Sequence, residues 1–208
     1  MSVKVAVVDY GLGNLHSVEK ALAHLGAEVI VAESGSQLAG VDKIVLPGVG
    51  AFSDGMAGLR KAGHIEPIKA AAAAGTPILG ICLGAQLMLS GSEEFGTTEG
   101  LGLIPGKVVK IPSEGIKVPH VGWARLEPTQ DAAWKTGPLR ATPPQTWTYF
   151  VHSYHMVPDE AADLAATVHS GPHQITAAVS RANITGFQFH PEKSGQKGLD
   201  MLKAFLFA

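Results

Sequence analysis

Pro77-Ile-Leu-Gly80-Ile-Cys82-Leu-Gly84-Ala-Gln86-Leu-Met-Leu89 begins as one kind of segment and ends as another. Pro77–Ile81 is a short apolar run, expected as a buried strand, and Cys82–Leu89 is expected as a helix. At the junction, Gly80-Ile-Cys82-Leu-Gly84 has the layout of a nucleophile elbow, with sulfur in place of a hydroxyl. The glycines let the chain turn sharply and leave room on both sides of the side chain. Such a turn presents the sulfur at the carboxyl end of its strand, where open α/β sheets bind ligands. The helix start beneath it favours a negative charge, and the N–H of Leu83 faces a developing oxyanion. A lone cysteine is also commonly a small buried hydrophobe, so the elbow alone does not establish catalysis.

The segments upstream repeat the same alternation. Val3–Val8 is a β-branched run, and Leu15–Leu25 carries Leu15, Val18, Leu22 and Leu25 at helical spacing before Gly26. Val29–Val31 and Lys43–Leu46 are further strands, and helices are expected around Met56–Arg60 and Ile65–Ala74. Short apolar strands alternating with helices imply a parallel sheet covered on both faces. Downstream, Leu103–Ile111, Lys117–Leu126, Trp147–Val157, Asp163–His169 and Gln174–His190 are strand-rich. Glu127–Gln145 reads as a surface excursion with little core content, and Gly198–Phe207 as a closing helix. The expectation is one α/β domain over residues 1–208: a flavodoxin-like open sheet, parallel in its N-terminal half and strand-rich, partly antiparallel, in its C-terminal half.

Composition narrows the class. With 208 residues and 46% hydrophobic content, the chain can bury a substantial core. Its net charge is −2, with no basic stripe, which argues against nucleic acid as a partner. One cysteine excludes an internal disulfide framework. The opening MSVKVAVVDY reads as a strand rather than a signal peptide, and no apolar run is long enough for a bilayer. The expected setting is cytoplasmic, away from membranes. No cofactor or metal is expected; His152 and His155 would project to opposite faces of an extended strand and make a poor metal pair.

A thiolate needs a base and a group to orient it. Of the nine histidines, His190 stands out. Thr185-Gly-Phe-Gln-Phe-His190 alternates like a strand, and Pro191-Glu192 follows. Residues two apart in extended chain share a side, so Glu192 can hold the Nδ1 proton of His190 and leave Nε2 for the sulfur. The loop Pro47-Gly-Val49-Gly50-Ala-Phe-Ser53, after the third strand, could bring further backbone N–H groups to the same end of the sheet.

These residues resemble a known family. G-I-C-L-G-x-Q with a later H-P-E is similar to the class I glutamine amidotransferases, the Cys-His-Glu glutaminases. Asp9-Tyr-Gly-Leu-Gly-Asn14, Pro47–Phe52, Lys117-Val-Pro-His-Val-Gly-Trp123, Tyr149–Tyr154 and Gly186–Ser194 resemble the branch that supplies the glutaminase subunit of imidazole glycerol phosphate synthase. The resemblance implies that Cys82 attacks the side-chain amide of glutamine, His190 moves the proton and Glu192 orients His190. It implies oxyanion donors at Leu83 and the Val49–Gly50 segment, and substrate contacts at Gly50, Gln86, Ser153 and Tyr154. It also implies a heterodimer with a (β/α)8-barrel cyclase. That subunit uses the ammonia to make imidazole glycerol phosphate, with aminoimidazole carboxamide ribotide as by-product, in histidine biosynthesis. Asn14 and Trp123 are the expected partner contacts, and low turnover without the liganded partner is expected. Ala85 and His155 depart from the common pattern, where methionine and an aromatic residue are usual.

Other readings remain open at this level. Gly11-Leu-Gly13-Asn-Leu-His16, followed by Glu33, imitates a dinucleotide fingerprint, but His16 stands at the third glycine position. A cysteine hydrolase or deglycase of similar topology needs neither Gln86 nor a partner-facing turn. A binding module would tolerate loss of Cys82.

Overall fold

The computed structural model describes residues 2–129, 134–135 and 137–207. Its first strands are β1 (Lys4–Val8), β2 (Glu28–Ala32), β3 (Lys43–Leu46) and β4 (Ile78–Ile81), separated by helices α1 (Leu15–His24), α2 (Phe52–Lys61) and α3 (Ile65–Ala73). The side-chain period of two explains why these strands are continuously apolar. Val5 and Val7 of β1 join one core with Val18 and Leu22 of α1, whereas Ala6 and Val8 join a second core with Met56, Leu59 and Ile68.

The main sheet has the order β2-β1-β3-β4-β14-β13-β12-β9 among the described residues. Its right half comprises β9 (Glu127–Pro128), β12 (Leu164–Ser170), β13 (His173–Arg181) and β14 (Ile184–Phe187). The strands from β2 to β14 run parallel, and β13, β12 and β9 add in antiparallel fashion. The expected mixed α/β fold is therefore found. The decisive consequence is that β4 lies between β3 and β14. The loop after β3, the elbow after β4 and the turn after β14 all emerge at one end of the sheet.

Beside that end lie two smaller sheets. One has the order β11-β7-β5-β6, built from β5 (Leu89–Ser92), β6 (Thr98–Glu99), β7 (Ile104–Lys110) and β11 (Tyr154–Pro158); the other pairs β8 (His120–Arg125) with β10 (Trp147–His152).

Two expectations are corrected here and a third is refined. The segment Cys82–Leu89 is helical only over α4 (Leu83–Leu87), because Leu89 starts β5 and pairs with Ile104 of β7. The strand-rich stretch Trp147–Val157 holds two strands that part at Ser153, with β10 pairing to β8 and β11 to β7. The stretch Glu127–Gln145 is not poor in core. Trp134 and Leu139 are buried in the first core, and the Trp134 indole N–H donates to the Thr142 carbonyl at 2.8 Å. Positions 130–133 and 136 of that stretch lie outside the described residues.

Candidate active site

Cys82 sits at the N-cap of α4 with φ 55° and ψ −112°. A non-glycine residue there carries backbone strain of about 1–3 kcal/mol, of the kind that nucleophile elbows store. The strain is held from both sides: the Cys82 N–H donates to the Phe187 carbonyl at 2.7 Å, and the Gln86 N–H donates to the Cys82 carbonyl at 3.2 Å. The flanking glycines are sterically required. A Cβ on Gly80 would lie 2.6 Å from the Ala85 Cα, and one on Gly84 would strike the Leu46 carbonyl oxygen. The side chain is almost enclosed, with 7% of Cys82 exposed.

His190 and Glu192 come together as expected, but by a different route. Strand β14 ends at Phe187, and Pro191–Lys193 forms a 3-10 turn rather than extended chain. Within that turn His190 Nδ1 donates to Glu192 Oε1 at 2.8 Å, with both side chains buried. The Ser194 hydroxyl fixes the turn by donating to the His190 carbonyl (2.6 Å) and accepting the Tyr149 N–H (3.0 Å). His190 Nε2 is buried without a geometrically satisfied hydrogen bond, and Cys82 is its neighbour. Burial alone would lower the His190 pKa, but interactions with Cys82 and Glu192 outweigh it and raise the value to about 9. The ring is thus held with one nitrogen anchored and the other free to exchange a proton with sulfur.

A cleft of about 330 Å³ opens over Cys82. It gathers Val49, Gly50, Leu83, Gln86, Ser153 and Tyr154 around the sulfur. His190 and Glu192 lie behind it, in a narrow crevice shared with Asn14, Pro47 and Gly48. Gln86 is engaged already: its Nε2 donates to the Tyr154 carbonyl and to Gln188 Oε1, both at 3.0 Å.

The backbone amides differ from expectation in one respect. The Leu83 N–H donates to the Gly48 carbonyl at 3.2 Å, so it does not face an open cleft in this arrangement. Gly50 has φ 113°, a value that only glycine adopts readily. Tyr10 Oη donates to the Pro47 carbonyl at 2.7 Å.

Three residues of the site, Glu94, Gln188 and Ser194, were not singled out from sequence, and His152 was weighed only as half of a metal pair. Glu94 lines the cleft, and its Oε2 accepts the Phe52 N–H at 2.7 Å. Gln188 is fully buried and points Nε2 at the Cys82 sulfur, 3.9 Å away. His152 lines the cleft wall; its Nδ1 donates to the Tyr154 carbonyl at 2.8 Å, and burial lowers its pKa to about 3, so it is neutral near pH 7. Ser194 is the clamp already described. The only signal available was a buried polar residue inside an apolar alternation, as at Gln188. Trp123 is half exposed on β8, while Asn14 is part-buried and accepts the Ser17 hydroxyl at 3.1 Å.

The comparisons agree with this geometry. A profile described as "Glutamine amidotransferase class-I" matches residues 6–208. The chain is 46% identical to imidazole glycerol phosphate synthase subunit HisH 1 of Legionella pneumophila (strain Lens), covering 97% of this chain and 98% of the relative. It is 48% identical to subunit HisH of Acaryochloris marina (strain MBIC 11017), covering 97% and 93%. Among solved structures its fold matches PurLQS from Thermotoga maritima with a TM-score of 0.76 and 20% identity, covering 100% of this chain and 99% of that one. The matched span contains Cys82, His190 and Glu192, and the chain belongs to the class-I glutamine amidotransferase family.

Proposed function

We propose that this chain is the glutaminase subunit of an imidazole glycerol phosphate synthase, hydrolysing glutamine and passing the ammonia to a cyclase partner. The observation that carries the reading is the His190–Glu192 pair, with Nε2 unengaged beside a cysteine on a strained elbow. Full-length similarity to HisH subunits supports the branch.

In this reading Sγ of Cys82 attacks the glutamine amide carbon, and the thiol proton resides on His190 Nε2. His190 then protonates the departing nitrogen, leaving a thioester and free ammonia. Water attacks the thioester with His190 as base; the proton returns to sulfur and glutamate leaves. Glu192 keeps the ring oriented and stabilises its charge throughout. Gln86, Gly50, Ser153 and Tyr154 line the space for the substrate. Glu94 supplies a carboxylate for the α-ammonium group.

The oxyanion needs donors that the present arrangement withholds. Rotation of the Gly48–Val49 peptide would release the Leu83 N–H and turn the Val49 N–H toward the cleft, giving two donors. The loss of one such donor costs about 2.7–4 kcal/mol in an acyl-transfer transition state. A chain resting in this arrangement therefore has low turnover, and the liganded partner shifts it toward the competent one.

A partner has a surface to meet. Val121, Trp123, Trp147 and Val151 project from one face of the β8–β10 pair and are exposed. Val151 also lines the cleft, so this apolar face runs up to the site. Trp123 belongs to it, and Asn14 lines the crevice beside His190 and Glu192. No described helix is long and apolar enough to cross a membrane; a cytoplasmic setting, with residues 1–208 acting as one functional domain, fits the reading. The test is glutamine protection: glutamine should slow alkylation of Cys82 by a diazoketone analogue of glutamine, and equal labelling with and without it would count against the reading.

A further inference from the structure

Resting on the glutaminase reading above, we infer that Tyr10 is a positioning residue for the reaction: its hydroxyl anchors the Pro47 carbonyl, so that reorganisation of the oxyanion loop is confined to the next peptide.

The loop is tied at three points. Upstream, Tyr10 Oη donates to the Pro47 carbonyl at 2.7 Å. Downstream, Glu94 Oε2 accepts the Phe52 N–H at 2.7 Å. Between them, the Gly48 carbonyl accepts the Leu83 N–H at 3.2 Å. Freeing the Leu83 amide requires only the middle tie to break. If Pro47 stays fixed, the change is a rotation about the two bonds flanking the Gly48–Val49 peptide. If Pro47 is released, the whole segment drifts and the Val49 N–H loses its aim, which costs the transition state more than the ground state.

The surroundings fit an anchor that is built in. Tyr10 follows β1, the strand next to β3, so its ring lies beneath the loop that leaves β3. It is buried, with 6% exposed. Glycines accommodate it on both sides: a Cβ on Gly48 would strike the Tyr10 hydroxyl, and one on Gly58 of α2 would strike the Tyr10 carbonyl oxygen. Burial and the nearby Cys82 raise the Tyr10 pKa, so the hydroxyl keeps its proton and remains a donor across the working range. The anchor stands immediately behind the residue whose carbonyl must move.

The test is Tyr10→Phe, which keeps the ring and removes the donor, assayed as glutaminase with the liganded cyclase present. The expected result is a fall in kcat of about five- to tenfold, the factor for one lost hydrogen bond, with the KM for glutamine changed less than about twofold. Inhibition by the aldehyde analogue of glutamine, whose adduct with Cys82 carries an oxyanion, should weaken by the same factor as kcat. The rate of Cys82 alkylation by iodoacetamide should stay at the wild-type value. An unchanged kcat in a chain whose wild type is active would overturn the role of Tyr10 and leave the glutaminase reading standing. Parallel losses in kcat, KM and alkylation, with a lowered melting temperature, would make Tyr10 a packing residue and overturn the inference as well. An inactive wild type with a competent partner would remove the glutaminase reading itself.

Discussion

His190 shows how far its surroundings shift the protonation of one side chain. Its ordinary value of 6.5 becomes about 9 in the fold, because Cys82 and Glu192 outweigh the opposing effect of burial. A pKa raised on folding stabilises the protonated state: the contribution is complete below about 6.5 and is lost as pH rises through about 9. Glu192→Gln removes one of the two supports. The alkaline limb of partner-stimulated glutamate release should move to lower pH, by on the order of one unit, and the decline in melting temperature between pH 6.5 and 9 should become shallower. An alkaline limb that stays in place would mean that the Glu192 carboxylate does not act on His190. His152 should contribute nothing to the profile between pH 5 and 8, since burial holds it near 3.

Elements, rather than side chains, bring Cys82, His190 and Glu192 together. Two glycines test this. Gly84 of α4 is pressed against the Leu46 carbonyl of β3, and Gly198 of the helix Gly195–Leu206 against the Pro191 carbonyl of the turn that carries Glu192. Alanine in a helix interior is ordinarily favoured over glycine by about 0.8–1 kcal/mol, but here the added methyl overpacks at a cost of about 1–3 kcal/mol or more. Gly198→Ala should lower the denaturation midpoint and also reduce kcat, because the displaced atoms belong to the turn that holds Glu192. A Gly198→Ala chain that is more stable and fully active would contradict the packing described. Ser194→Ala removes the clamp from both His190 and Tyr149, with an expected loss of about 1–3 kcal/mol in denaturant unfolding.

The same scale explains what could be read from sequence and what could not. The alternation of short apolar strands and helices through Ile81 was legible because parallel strands buried on both faces have a continuous apolar signature. The His190–Glu192 contact was legible from spacing, although a 3-10 turn and not extended chain produces it. The early end of α4 was not legible: Leu89 continues an apolar run that reads as helix, and only pairing with Ile104, fifteen residues later, claims it for β5. The break at Ser153 was hidden for the same reason. Glu94 gave no local signal, and Gln188 only that of a polar residue inside an apolar alternation, since their roles depend on which strands lie side by side. The burial of Trp134 against the first core overrides the polar look of its surroundings.

For the molecule as a whole, the sheet order places three chemistry-bearing loops at one end, and the β8–β10 face stands next to them. That face exposes Val121, Trp123, Trp147 and Val151 without a covering element among the described residues. Trp123→Ala should weaken binding of the cyclase by about 2 kcal/mol or more if the indole is a central anchor. Glutamate release by the isolated chain should stay the same. Loss of basal release with unchanged affinity would place Trp123 in the site rather than at the partner surface. The central claim is that Cys82, served by His190 and Glu192, is the nucleophile of a partner-activated glutaminase. Its most direct test is glutamate release from glutamine by wild type and by Cys82→Ser, each alone and with the liganded cyclase. Wild type alone should release glutamate slowly and be strongly stimulated by the partner, and Cys82→Ser should show no stimulated release. Stimulated release that survives in Cys82→Ser, or a wild type that releases nothing with its partner present, would contradict it.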